Sequence, residues 1–237
     1  DSIKRLGHGN AIPQGFNHTI LPLDKEENAR LQIAWGIEDF QYHFNRDPEG
    51  MWLPECAVNE TVIDLLSQAG IKFIILSPWQ CNAVENEEGK IIELGSNPAP
   101  YREPYILTGK RGGEITAFFY EPSLASGISF GHYLRNADSL YSTLLDIKNR
   151  DKSPIIHTAT DGEIYGHHEP YGDMALAALI KKVNDGDDFI FDNYGSYMAK
   201  HPATKHAVLR KGEEGKGTSW SCSHGVSRWY KDCGCHT

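Results

Sequence analysis

Glu55 ends the run "GMWLPE", where an apolar, strand-like stretch closes on a proline and a carboxylate before a helical pattern begins. Asp161 follows "PIIHTAT" in the same manner and opens "DGEIYGHHEP". A charge at the tip of a buried strand is costly unless it is paired or used. Two acids projecting from different strand ends into one cleft suit cleavage of a glycosidic bond. One carboxylate attacks the anomeric carbon while the other protonates the leaving oxygen, at a carboxyl separation of about 5–5.5 Å when configuration is retained. Their surroundings must push the two pKa values apart, so that one acid is ionised and the other protonated near neutrality. The sequence also offers groups suited to sugars: Trp52, Trp79, Gln80, Tyr165, His167, His168 and Trp220. Aromatic faces pack on the apolar faces of sugar rings, and amides and imidazoles pair with hydroxyls. Plainer roles fit the same residues. A strand-end Glu can cap a helix or join an ion pair, and Asp161-Gly162-Glu163 can be a turn.

A second group has ligand chemistry. Cys222, His224, Cys233, Cys235 and His236 crowd the end of the chain. They are enough soft ligands for zinc or an iron–sulfur cluster. Their C-x-H, C-x-C and C-H spacings lack the two-residue gaps of common zinc fingers. The alternative is a packed loop in which Trp220, Arg228 and Trp229 cover the cleft. Elsewhere His157, His167 and His168 lie near Asp161, and His8 and His18 near the first predicted strand. Metal-dependent deacetylation of a polysaccharide needs an Asp with two His ligands at helical spacing. No His-x3-His pair follows a suitable Asp, and adjacent His167 and His168 point apart on most backbones. These histidines are therefore expected to contact sugar or to serve structure, with no catalytic metal and no cofactor.

The elements that must position these residues follow from periodicity. "IKFIILS" (Ile71–Ser77), "EITAFFY" (Glu114–Tyr120), "PIIHTAT" (Pro154–Thr160) and "DFIFDN" (Asp188–Asn193) are continuous apolar runs of strand length. Val62, Leu65, Leu66 and Ala69 recur at helical spacing with Gly70 as the stop signal. "ADSLYSTLLDIKNR" (Ala137–Arg150) and "GDMALAALIKKVNDG" (Gly172–Gly186) are further predicted helices. Alternating strands and helices imply an α/β fold with a parallel sheet, open or closed into a barrel, and ligands gather at the carboxyl ends of such strands. The segment 83–113 is polar and rich in Gly and Pro, and is expected to be a long insertion over the sheet. Thr204–Gly217 is expected to be a charged loop. One domain over residues 1–237 is expected. The formal charge of −9 argues against nucleic acid or an anionic membrane as partner. Five cysteines are few and odd in number for this length, which suits a reducing, cytoplasmic setting. Oligomeric state is not legible.

"WLPEC" (Trp52–Cys56) resembles the nucleophile motif of glycoside hydrolase family 57, in the form found in its α-glucan branching enzymes. "DGEIYGHH" (Asp161–His168) resembles the motif carrying that family's general acid/base, and "GFNHTILPL" (Gly15–Leu23) the upstream segment whose His contacts sugar. Gln32–Glu55 follows the family's progression into the nucleophile strand. "GNAIPQGFNHTILPL" and the tail "TSWSCSHGVSRWYKDCGCHT" are most similar to an uncharacterised branch. The resemblance implies an incomplete, TIM-barrel-like (β/α)7 barrel and a retaining, amylolytic enzyme acting on α-glucan oligo- or polysaccharides. Glu55 would be the nucleophile and Asp161 the general acid/base. His18 and Trp52 would line the donor subsite, with Glu163, His167 and His168 beside Asp161. Nothing before Asp1 matches the family's first strand with its His-x-Pro-like ending, and nothing after Thr237 matches its helical region. The chain is thus expected to be a core fragment with open sheet edges.

Two other functions are compatible with these residues. A non-catalytic carbohydrate-binding member would keep the cleft without turnover, and a metal-dependent deacetylase would lose activity on chelation.

Overall fold

The computed structural model describes residues 2–235. In chain order the helices are α1 (Ser2–Leu6), α2 (Glu26–Phe44), α3 (Glu60–Gln68), α4 (Pro122–Ser129), α5 (Ala137–Asp151), α6 (Gly172–Asp185) and α7 (Tyr194–Lys200). The strands are β1 (Gly50–Met51), β2 (Phe73–Leu76), β3 (Cys81–Glu85), β4 (Ile91–Glu93), β5 (Tyr105–Thr108), β6 (Glu114–Phe119) and β7 (His206–Leu209). The chain divides into two compact units. The first comprises residues 2–100, 104–119 and 193–235; the second comprises 101–103 and 120–192. Among the described residues, no helix is long and apolar enough to cross a membrane.

The first unit carries one mixed sheet in the order β1-β2-β6-β5-β7-β3-β4. Strands β1, β2 and β6 are parallel neighbours, with Gly50 opposite Phe73 and Phe73 opposite Thr116. Every residue of β2 is buried, as its unbroken apolar run requires. The rest of the sheet corrects the expectation of a parallel array. β5 runs antiparallel to β6, and β3 runs antiparallel to both β4 and β7. The segment 83–113 is therefore not an insertion over the sheet; it supplies the end of β3 and all of β4 and β5. Short two-sided runs such as Tyr105–Thr108, with alternating burial, pair as hairpin arms without needing a long apolar stretch. The Thr204–Gly217 loop is likewise corrected, since His206–Leu209 pairs with both β3 and β5.

Helix α3 begins at Asn59, whose side chain accepts from the Val62 N–H, and stops at Gly70 as expected. It buries Val62, Ile63, Leu65 and Leu66 in a core shared with Leu53, Ile74, Leu76, Ala117 and Phe119. Asp64 is also buried on this helix, and its carboxylate accepts from the backbone N–H of Arg111 at 2.8 Å and of Gly113 at 3.0 Å. It thereby staples the turn between β5 and β6. Asp64→Ala leaves two donors without their acceptor, and is expected to cost about 2–4 kcal/mol in chemical denaturation. A cost under about 0.5 kcal/mol would show that the staple is not used.

Helix α2 buries Ala29, Ile33, Gly36 and Phe40 along one stripe. Gly36 is required by close approach, since a Cβ there would stand 2.1 Å from the Gln14 carbonyl oxygen. Beside that contact the Phe16 N–H donates to the Gln32 carbonyl at 3.1 Å, and the Asn17 N–H to the Gln32 side chain at 2.7 Å. The helix thus holds the segment carrying His18.

The second unit packs α4, α5 and α6 around Leu124, Ile128, Leu140, Ile147, Leu179 and Val183. Glu121 caps α4 and Asn136 caps α5. The predicted strands Pro154–Thr160 and Asp188–Asn193 are not formed among the described residues. Part of their apolar surface serves helix packing instead, while Ile190 and Phe191 stay exposed. Ile156 and Phe189 lie against the helical core, with the Phe189 ring edge-on to Tyr141 at 5.7 Å. A short apolar run does not by itself decide for a strand; here it leaves residues 154–160 at most half-buried and Ile190 exposed.

Candidate active site

Parallel β1 and β2 deliver their chain ends to the same side of the sheet, which is where Trp52, Glu55, Trp79 and Gln80 follow. The Trp52 backbone N–H donates to the Pro13 carbonyl at 2.8 Å, so the loop that carries Glu55 is stitched to the His18 segment. Glu55 and Cys56 then adopt consecutive left-handed conformations, with φ of 57° and 50°. For non-glycine residues that costs about 1–2 kcal/mol each, so surrounding contacts must impose it.

Those contacts come from the tail. Val58 and Thr218 exchange both backbone hydrogen bonds at 2.9 Å, and the Trp220 N–H donates to the Glu55 carbonyl at 3.0 Å. The buried Gln80 amide donates to the Cys56 carbonyl at 2.8 Å and to the Thr218 hydroxyl at 3.2 Å. Gly217 permits the crossing; at φ 113° its Cβ would lie 2.6 Å from the Val58 carbonyl oxygen.

The Glu55 carboxylate is held by side chains from two directions. Its Oε2 accepts from the Trp220 indole N–H at 2.9 Å and from the Ser221 hydroxyl at 2.6 Å. Its Oε1 faces His18 Nε2 at 3.4 Å. Partial burial raises the pKa, but the bonds from Ser221, Trp220 and His18 outweigh it and hold the group below the ordinary glutamate value. Glu55 is therefore an anion at neutral pH. Trp52 and Trp220 meet edge to face at 5.1 Å. Trp220 and Ser221 also line a cleft of about 980 Å³ with Trp79, Asn82, Arg210 and Lys211. Trp79 is half exposed there, as a sugar platform would be.

Ser221 is a residue that sequence reasoning missed; its only signal was adjacency to Trp220. Ser221→Ala removes the strongest of the bonds lowering the Glu55 pKa, so that pKa must rise. In a side-chain carboxyl NMR titration the Glu55 midpoint is expected to move to higher pH. An unmoved midpoint would count against this role.

Asp161, Glu163, His167 and His168 belong to the second unit, where all four are exposed. Asp161 follows an extended segment rather than the expected strand and opens a single 3-10 turn, Gly162–Ile164. Its side chain does not cap that turn. The Glu163 carbonyl accepts from the N–H groups of both His167 and His168, whose rings meet edge to face at 4.8 Å. The turn is anchored through buried Glu169, which pairs with His132 and, at 3.2 Å, with Arg135.

In the tail, Cys222, His224, Cys233 and Cys235 converge so that one ligand atom from each lies within 4.8 Å of the others. His236 lies outside the described residues.

Residues 2–207 match the sequence family described as glycosyl hydrolase family 57. The 1,4-alpha-glucan branching enzyme TK1436 of Thermococcus kodakarensis is 42% identical over 52 residues, which are 22% of this chain and 8% of that protein. An alpha-amylase of Pyrococcus abyssi is 22% identical over 205 residues, covering 84% of this chain and 29% of the amylase. The crystal structure of TK1436, in complex with glucose and additives, superimposes with a TM-score of 0.72 at 18% identity, covering 97% of this chain and 53% of that one. The chain thus spans about half of that structure and less than a third of the amylase, and its mixed α/β fold is that of the family's (β/α)7 barrel structures.

Proposed function

The chain belongs to glycosyl hydrolase family 57, and from that premise we propose that it supplies the catalytic carboxylates of a retaining enzyme acting on α-glucans. Glu55 is the nucleophile and Asp161 the general acid/base. The observation that carries the proposal is the state of Glu55. Two donors on Oε2 favour its ionised form, while Oε1, facing the exposed His18 across a long contact, retains lone pairs for attack on an anomeric carbon.

In the first half-reaction Oε1 bonds to the anomeric carbon as the glycosidic C–O bond breaks, and Asp161 gives its proton to the departing oxygen. In the second, Asp161 takes a proton from water or from an acceptor sugar hydroxyl, which displaces Glu55 and regenerates the carboxylate. His18 and Trp52 line the donor side; Trp79 and Trp220 offer ring faces to further glucose units. Glu163, His167 and His168 flank the acid/base. The names of the similar proteins, a branching enzyme and an amylase, support an α-1,4-linked glucan as the polymer.

A fluorinated glucosyl fluoride, which slows the second half-reaction, is the direct test. Peptide mapping after inactivation is expected to place the sugar on Glu55. A label on another carboxylate, or no covalent adduct while turnover continues, overturns the assignment. Product analysis identifies the acceptor: new reducing ends signal water, and altered linkage without them signals a sugar hydroxyl.

A further inference from the structure

We propose that Cys222, His224, Cys233 and Cys235 bind one zinc ion, which fastens the end of the described chain to the segment that holds Glu55. The distances fit a tetrahedron. With zinc–sulfur bonds of about 2.3 Å, the sulfur–sulfur edge is about 3.8 Å and a sulfur–nitrogen edge about 3.6 Å. Cys222 Sγ stands 3.8 Å from both Cys233 Sγ and Cys235 Sγ, and Cys235 Sγ stands 3.4 Å from His224 Nδ1. The thiols are not bonded to one another. Three thiolates and one neutral imidazole make a closed donor set without an open position, which is the pattern of a structural zinc site rather than a catalytic one.

Packing supplies a second reason. Val226 and Ser227 are buried, and Val226 packs on Ile20 and Ala57. Beyond them nothing from residue 231 to 235 is buried. Lys231 pairs with Glu213 at 2.6 Å, an exposed contact of small worth. The Asp232 carboxylate accepts from the Gly234 N–H and shapes the turn between the two cysteines. Apolar burial therefore does not hold Cys233 and Cys235 against Cys222; metal ligation supplies that energy. Cys222 is itself buried and follows Ser221 directly. One residue thus joins the proposed metal to the hydroxyl that holds the Glu55 carboxylate.

The site is tested on the full chain without substrate, so it stands or falls apart from the glucan assignment. Protein purified under reducing conditions without chelator is expected to contain about one zinc per chain, and cobalt exchange to give thiolate charge-transfer and tetrahedral bands. Cys222, Cys233 and Cys235 should resist alkylation with zinc and react after chelation. Cys56 and Cys81, fully buried in the core, should stay protected in both states. Cys233→Ser and Cys235→Ser should each cut bound zinc at least tenfold; the alkylation pattern of the unaltered chain decides the matter should either variant not fold. Zinc-free protein that takes up no added zinc, iron in its place, or a disulfide from Cys222 to either partner would overturn the proposal.

Discussion

Glu55→Gln is expected to lower kcat on an α-glucan by about 10⁴-fold or more while leaving the thermal transition nearly unchanged. Gln can keep its carbonyl oxygen where Oε2 stands, accepting from Trp220 and Ser221, and can turn its amide toward His18. The strained backbone at Glu55 and Cys56 is held by the tail and by Gln80, not by the charge. What disappears is the anionic lone pair, and with it the covalent half of the reaction. Reducing-sugar release, run beside a melting curve, checks both halves of the claim. Activity within about tenfold of the parent protein would remove Glu55 from the nucleophile role.

Asp161→Asn is expected to cost about 10²–10⁴-fold, and the size of the loss should follow the leaving group. A natural glucan departs as a basic alkoxide that needs the proton. A dinitrophenyl glucoside departs unaided, so formation of the glycosyl-enzyme should be nearly normal with it. Its breakdown still needs the base, so phenol should appear as a burst of about one equivalent per enzyme, followed by slow release. Equal losses on both substrates, without a burst, would leave Asp161 as a binding residue. The local geometry suits the proposed role: its side chain is exposed and does not cap the turn that it opens.

The family, the order of its two carboxylate motifs and the α/β class were legible in the chain. So were β2, β6 and the helices α3, α5 and α6. Each of these rests on local chemistry. A run of four buried apolar residues, a capped amphipathic stretch or a short motif keeps its meaning whatever lies around it.

What the sequence did not disclose depends on partners far along the chain. "PIIHTAT" and "DFIFDN" look like strands by composition, yet neither finds a ladder partner: Ile156 and Phe189 pack on the helical core while Ile190 stays exposed. "YILT" and "HAVL" look like loop fragments, yet each finds two ladder neighbours. Hydrogen bonding between strands is set by what stands alongside, and that is not written in a window of ten residues. The same limit hid the environment of Glu55. Its motif was readable, but the lowering of its pKa depends in part on Ser221, which is 166 positions away in sequence and 2.6 Å away in space. The tail cysteines show the converse. Their identities were plain and their spacing uninformative, and only the fold brings two distant pairs to tetrahedral distances. Sequence determined which reactive groups this protein has; tertiary structure decided which of them meet, because burial and hydrogen bonding act between neighbours in space.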